Sequence, residues 1–316
     1  MPGTSGGERE AVSVVRATAV IVAYDAGEDL QRCVDALSSS GYAALRVVVV
    51  DNASRDGACE RLKRSEVVDV RVLRMARNLG FAGGVNAGVR WLETETRLEP
   101  DHVLVLVNQD CIVRPGAVAA LVTRAVSDSR IGIVGARILA EDEETLQHAG
   151  GRIRDNGLTE HVGRGLPDCA LFWSPRDVEY VTGALCAFRA STYRSLGSFD
   201  ERYHPVYFEE VDFCARARRA GFRVVYEPAC VAVHQEARCS GGPSSALYLR
   251  RYHRNRIRFL AHHRLRRGSM LKTMAAEIRW LAAQRRIRDV WPAVRAYARL
   301  PFDLATAHRG EGARPR

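Results

Sequence analysis

The chain has 316 residues, 47% of them apolar and 27% charged, enough for a sizeable core, which excludes a disordered tail or a disulfide-stapled miniprotein. Its formal net charge of +10 comes from 47 Lys and Arg against 37 Asp and Glu. That excess sits at one end: residues 250–316 hold 18 basic and 4 acidic side chains, so the first 249 residues are mildly acidic.

The eight cysteines show no CxxC pair and no metal-finger spacing, and most lie in apolar runs, as expected of thiols packed in a reducing cytoplasm. No stretch reaches the ~18 to 20 apolar residues a spanning helix needs. Residues 1–10 also lack the apolar segment of a signal peptide. A cytoplasmic protein is expected, and any meeting with a membrane should be peripheral, on its inner face.

Residues 1–16 read as a loose N-terminus. Residues 17–24 (ATAVIVAY) are a short apolar, β-branched run ending in the polar turn Asp25-Ala26-Gly27, the pattern of a buried strand. Leu30, Cys33, Val34 and Leu37 then recur at helical spacing. A second strand, 45–50 (LRVVVV), stops at Asp51-Asn52-Ala53-Ser54, and a third, 70–75, leads into Asn78-Leu79-Gly80-Phe81. A helix is predicted between 82 and 96, then the strand 102–107 (HVLVLV), which ends at Asn108-Gln109-Asp110. Continuous apolar strands alternating with helices predict an α/β fold with an open, mostly parallel, Rossmann-like sheet covered on both faces. Residues 131–240 are less regular, and the Gly-rich stretch 148–165 reads as a mobile loop. From 244 onward the pattern is two or three basic amphipathic helices, with Leu247, Ile257, Phe259, Leu260, Met274, Ile278, Trp280 and Leu281 among the apolar positions.

In such sheets ligands sit beyond the carboxyl ends of the strands, where Asp25, Asp51, Asn78, Asn108 and Asp110 fall. One carboxylate beside an amide suits a hard divalent cation, which takes its other ligands from water and phosphate oxygens; the same triplet is also compatible with a plain Asx turn. Asp51 can accept from a nucleobase or ribose, or cap the helix after Gly57. The Gly-rich opening Asn78 to Asn86 offers free N–H groups to a phosphate or sugar hydroxyl, without the GxGxxG fingerprint of a nicotinamide site. Glu209, Glu210 and Asp212 precede an Arg-rich helix at 215–220. They either complement its macrodipole or, by crowding, raise a pKa to suit a general base. His234 could offer its imidazole to a metal or a leaving phosphate.

The order of Val48-Val-Val-Asp51-Asn-Ala-Ser, Asn78-Leu-Gly-Phe-Ala-Gly-Gly-Val-Asn86, Asn108-Gln-Asp110, Thr182-Gly183-Ala184 and Phe208-Glu-Glu-Val-Asp-Phe-Cys resembles the family 2 inverting glycosyltransferases of GT-A fold, in particular their rhamnosyltransferase branch. Gly221-Phe-Arg-Val-Val-Tyr, His234 and Tyr252-His-Arg-Asn255 follow in the same order, so the resemblance runs over residues 17–260. It implies a catalytic domain at 17–242, with a nucleotide-sugar half at 17–130 and an acceptor half at 131–242, followed by a basic helical region at 243–316. It further implies that Ala23, Asp25, Asp51, Asn78 and Asn108 hold the nucleotide and that Gly83 and Asn86 meet the donor sugar. Asp110, with His234, would bind Mg²⁺ or Mn²⁺, and Thr182, Gly183 and Ala184 would shape the acceptor site. Glu210 takes the place of the base, with Glu209 and Asp212 as alternatives. Two departures stand out: Gln109 replaces the Pro usual in the metal triplet, and Glu209-Glu210 replaces a Glu-Asp pair.

The implied reaction moves a sugar, a 6-deoxyhexose such as rhamnose, from a dTDP- or UDP-sugar to a hydroxyl of a lipid-linked saccharide or small natural product. The basic tail lacks any recognisable nucleic-acid reading module, so no nucleic acid is expected as partner. Its helices would instead pack on the catalytic domain and lie on anionic lipid, or mediate a homodimer.

Overall fold

The computed structural model describes residues 14–63, 65–96, 98–235, 245–263, 270–283 and 287–310. The N-terminus before residue 14, Cys239 and the junction at 242/243 lie outside the described residues. The first half alternates as β1 (Ala17–Ala23), α1 (Asp29–Ser38), β2 (Leu45–Asp51), α2 (Ala58–Arg61), β3 (Asp69–Arg74), α3 (Gly80–Glu95), β4 (Val103–Asn108), β5 (Cys111–Val113) and α4 (Ala117–Val126). It continues through β6 (Ile131–Leu139), β7 (Leu146–His148), β8 (Gly151–Ile153), β9 (Thr159–His161), β10 (Arg176–Asp177), β11 (Leu185–Arg189), α5 (Ala190–Leu196), α6 (Glu209–Arg219) and β12 (Arg223–His234). Three helices close the chain: α7 (Ala246–His263), α8 (Met270–Ala283) and α9 (Ile287–Gly310).

One sheet carries the fold, in the order β10-β12-β6-β11-β4-β1-β2-β3, with β5 on β12 and β7 on β6. The predicted parallel strands pair as β3-β2-β1-β4. Beyond them β11 runs antiparallel between β4 and β6, and β6 and β12 are parallel, so the sheet is mixed but mostly parallel. Alternate side chains enter opposite layers because the strand period is two. Ala19, Ile21, Val47, Val49, Val105 and Val107 pack under α1 and α4. Val20, Val22, Val48, Val50, Leu104 and Leu106 pack under α3 and α6. Helix α3 comes unusually close to β1 at Gly84, where an added Cβ would lie 2.6 Å from a Val22 methyl.

The Gly-rich stretch 148–165 is structured: β8 and β9 form an antiparallel hairpin, with Gly151 against the Tyr180 ring, 2.1 Å from where a Cβ would stand. Glycine composition read as looseness; here it permits close packing. The C-terminal helices have their own buried polar seam. Arg256, fully buried, bonds Glu277 of α8 and the Asn156 carbonyl, Tyr297 of α9 donates to Glu277 at 2.6 Å, and His253 bonds Asp289 at 2.9 Å. No helix among the described residues is long and apolar enough to cross a membrane.

Candidate active site

The carboxyl ends of the parallel strands open onto a cleft of about 640 Å³. It gathers Asn78, Asn108, Asp110, Thr182, Gly183, Ala184, Glu209, Glu210 and His234, nine of the residues singled out from sequence. One wall is the sheet edge and the other is helical.

On the sheet wall, β4 stops at Asn108 and β12 stops at His234, and Asp110 hangs between them. His234 Nε2 lies 3.2 Å from Asp110 Oδ1 and 3.2 Å from Asn108 Nδ2. Its Nδ1 lies 2.6 Å from Gln147 Oε1, and Gln147 Nε2 donates to the His234 carbonyl at 3.1 Å. That second bond orients the amide, so Oε1 accepts the Nδ1 proton and, in the neutral ring, the Nε2 lone pair faces Asp110. One carboxylate and one imidazole beside a space for phosphate oxygens fit a cation such as Mn²⁺ or Mg²⁺. Among the described residues no group of three or more His, Cys, Asp and Glu could hold a metal unaided. Gln109 mimics a strand partner: it accepts from the Tyr24 N–H at 2.7 Å and donates to the Tyr24 carbonyl at 3.2 Å, tying the end of β1 to the Asp110 turn.

The helical wall is the N-terminus of α6. The helix begins at Glu209, so the acidic residues form its first turn rather than precede it. Tyr207 and Phe208, just before it, both adopt left-handed φ, +79° and +76°. Such conformations cost ~1–3 kcal/mol each and persist only where packing imposes them. Here α7 supplies that packing. The Phe208 ring rests on Tyr252 and Phe259, at 5.2 and 5.7 Å, and Tyr207 meets Tyr248 at 4.9 Å. Asn255 Nδ2 donates to the carbonyls of Tyr203, Val206 and Tyr207 at 2.7, 2.9 and 3.0 Å.

The three carboxylates of this turn differ in state. Burial pushes Glu209 well above the usual carboxylate range, and the neighbouring Glu210 charge adds to it; its Oε2 is buried with no hydrogen-bond partner among the described residues. Burial raises the half-buried Glu210 to about 7, against the pull of the N–H groups at the helix start. Asp212 is buried too, but its hydrogen bonds to His263 at 2.7 Å and Arg216 at 2.8 Å hold its pKa below normal. It is an ion-pair partner within the helical layer and does not line the cleft.

Other expected site residues are placed differently. Asn86 is 1% exposed and serves as a staple: its amide donates to the Phe199 carbonyl at 2.9 Å and Glu201 at 3.0 Å, and its oxygen accepts from Tyr193 and the Phe199 N–H. Gly83 is buried on the same helix, facing Leu79 and Glu201, so neither reaches the cleft. Ala23 and Asp51 are buried and are not among the residues that line the cleft. The Ala23 carbonyl accepts the Asn52 N–H at 2.8 Å, and Asp51 accepts the Ser54 N–H at 2.9 Å rather than capping α2. Asp25 lines a shallow depression of about 380 Å³ that shares Gln109 and Asp110 with the main cleft.

Two residues outside the sequence-based set complete the sheet wall. Asn52 accepts from Leu79 N–H at 2.8 Å and donates to the Gly80 carbonyl at 3.1 Å, joining the end of β2 to the start of α3; its signal was the Asx-rich turn after β2. Gln147 had none, since it lies 87 residues from the histidine it orients.

Residues 16–259 match the family described as Glycosyltransferase like family 2. An N-acetylglucosaminyl-diphospho-decaprenol L-rhamnosyltransferase of Mycobacterium tuberculosis is 30% identical over 258 residues, covering 77% of this chain and 83% of that one. A low-salt glycan biosynthesis hexosyltransferase of Haloferax volcanii is 27% identical over 69% of this chain and 66% of its own. Among solved structures, a mannosyltransferase from Pyrobaculum calidifontis, in complex with GDP-Man and Mn²⁺, superposes with a TM-score of 0.52 and 19% identity over 94% of this chain and 79% of its own. GalNAc-T7, with UDP, GalNAc and Mn²⁺, gives 0.59 at 18% identity over 79% of this chain, which spans 48% of it. A family match over most of the chain, on a GT-A sheet whose strand ends open onto a cleft, bears out the resemblance read from sequence: the protein belongs to glycosyltransferase family 2.

Proposed function

We propose that the cleft transfers a hexosyl group, with inversion, from a nucleotide-diphosphate sugar to an acceptor hydroxyl. The observation that carries this reading is the opposition, in one cleft, of the Asp110–His234 pair and the half-buried Glu210 carboxylate raised to about 7. Tyr24, Asn52 and Asn78, at the ends of the first three strands, would take the nucleotide end of the donor. Asp110 Oδ1 and His234 Nε2 would hold Mg²⁺ or Mn²⁺ on the diphosphate. The cation, when bound, stabilises charge on the departing phosphate.

The chain's own residues do the rest. Gln147 holds the Nδ1 proton of His234 so that Nε2 stays available, and Gln109 keeps the Asp110 turn against β1. Glu210, facing Gly183, removes the acceptor proton as the hydroxyl attacks, and a single displacement inverts the anomeric centre. Glu209 is more deeply buried, and that burial pushes its carboxyl up, which leaves Glu210 the better placed base. Thr182, Gly183 and Ala184 line the acceptor side of that hydroxyl. The rhamnosyltransferase relative favours a 6-deoxyhexose such as rhamnose, carried by dTDP or UDP, and a lipid-linked saccharide as acceptor.

The test is transfer from a panel of dTDP- and UDP-sugars to saccharide acceptors with Mn²⁺ or Mg²⁺. Wild-type protein should turn over one donor, and Glu210→Gln should lose ~10²- to 10⁴-fold in kcat with nucleotide binding intact. Near-normal turnover in that variant would remove Glu210 from the mechanism. Because the base must be ionised, kcat/KM should rise with pH through about 7.

A further inference from the structure

The cleft has a feature that donor binding and base catalysis leave unused. Its mouth, on the Glu210 side, is lined by Arg250, Arg251 and Arg254 of α7 and Arg295 and Arg299 of α9. On α9 the two arginines are four apart, and on α7 Arg250 and Arg254 are also four apart, so each pair shares a helix face. No carboxylate among the described residues pairs with any of the five. Arg254 gives one N–H to the His204 carbonyl at 2.9 Å while its Nε is buried without a partner, and Arg295 stacks over Trp291 at 5.1 Å. Five cations gathered without counter-charges among the described residues repel one another and focus a positive potential on the cleft mouth. A guanidinium matches phosphate oxygens in a bidentate fork.

The position of this rim separates it from the donor's diphosphate. Asp110 and His234 stand on the sheet wall, whereas α7 is docked on residues 203–208, the segment that leads into Glu210. A base meets the acceptor, so charges on its side of the cleft meet the acceptor too. Apolar side chains flank the same rim: Leu247 is 40% and Trp291 61% exposed.

We propose that the arginine faces of α7 and α9 form a binding site for the diphosphate of an acceptor whose sugar hydroxyl reaches Glu210 and whose apolar tail leaves past Leu247 and Trp291. This rests on the transferase reading above and names its acceptor class: a sugar diphosphate carried on a lipid.

The test uses the full chain and calorimetric titration with three probes. These are octyl diphosphate without divalent cation, UDP or dTDP with Mn²⁺, and phosphatidylglycerol vesicles. The variant Arg250→Gln/Arg295→Gln/Arg299→Gln changes only exposed side chains. Wild-type protein should bind octyl diphosphate, and the variant should bind it ~1000-fold more weakly, since each of the three charge-assisted bonds is worth about tenfold. Arg→Lys replacement at the same three positions should recover part of the loss, and UDP or dTDP binding should not change.

Equal octyl diphosphate affinity in wild type and variant, or none in either, would overturn the proposal. Parallel loss of nucleotide binding would assign the rim to the donor, and loss confined to vesicles would make it a bilayer contact; both also overturn it. Failure of UDP and dTDP to bind any of the proteins would instead sink the transferase reading, while the octyl diphosphate result still reports on the rim.

Discussion

The two walls of the cleft are built on different physical terms. The sheet wall is set by strand ends: Asn108, Asp110 and His234 sit where β4 and β12 stop, and amides such as Asn52 and Gln109 lock the turns to the backbone. The helical wall is set by docking. Its left-handed turn and its carboxylate states exist because α7 presses on residues 203–208 and His263 reaches Asp212. The contrast teaches that one cleft can hold a tethered carboxylate–imidazole pair at one end and, at the other, an acid that burial raises to about 7.

After Glu210→Gln, a large effect expected on this contrast comes from the support of His234, the proposed metal ligand. Gln147→Leu frees Nδ1 of His234, and Mn²⁺ affinity should fall ~10- to 100-fold, read by titration in the presence of nucleotide. Unchanged affinity would show that the sheet wall does not depend on that bond. Next, Asn255→Leu strands three carbonyls at the base of the helical wall. A stability loss of ~3 kcal/mol by urea denaturation is expected, with a larger effect on turnover than on nucleotide binding.

A pH effect follows from Glu209. Its folded pKa lies above the unfolded value of 4.5, so above that pH the native state keeps a proton the unfolded chain has lost. Stability contributed by this group is complete below about pH 4.5 and declines as pH rises toward the folded pKa. Glu209→Gln should flatten that part of the stability curve; an unaltered slope would mean Glu209 is charged in place. The smallest effect is Gln109→Pro. It removes both bonds to Tyr24 and should cost ~1–2 kcal/mol while sparing Asp110, the proposed ligand, which melting curves and Mn²⁺ titration would separate.

Much of the sheet wall was legible in the sequence because its cues are local. An apolar β-branched run closed by an Asx-rich turn specifies both a buried strand and a polar group at its end, as at Asp51 and Asn108. The resemblance placed Asn86 against the donor sugar, but its position is not at a strand end. It is a core staple for Phe199 and Glu201, more than a hundred residues away. The hairpin at 148–165 also escaped, since its glycines signalled flexibility and only the Tyr180 ring against Gly151 shows what they are for.

The acidic run Glu209-Glu210-Val-Asp212 marks the limit. Sequence alone established that three carboxylates crowd one helix start and that a family 2 transferase of GT-A fold would carry them. Which is most deeply buried, which burial raises to about 7 and which is held in an ion pair was decided by tertiary structure. A carboxyl pKa depends on the water and charge around it, and those are supplied by α7 and Arg216 through contacts that no local pattern encodes.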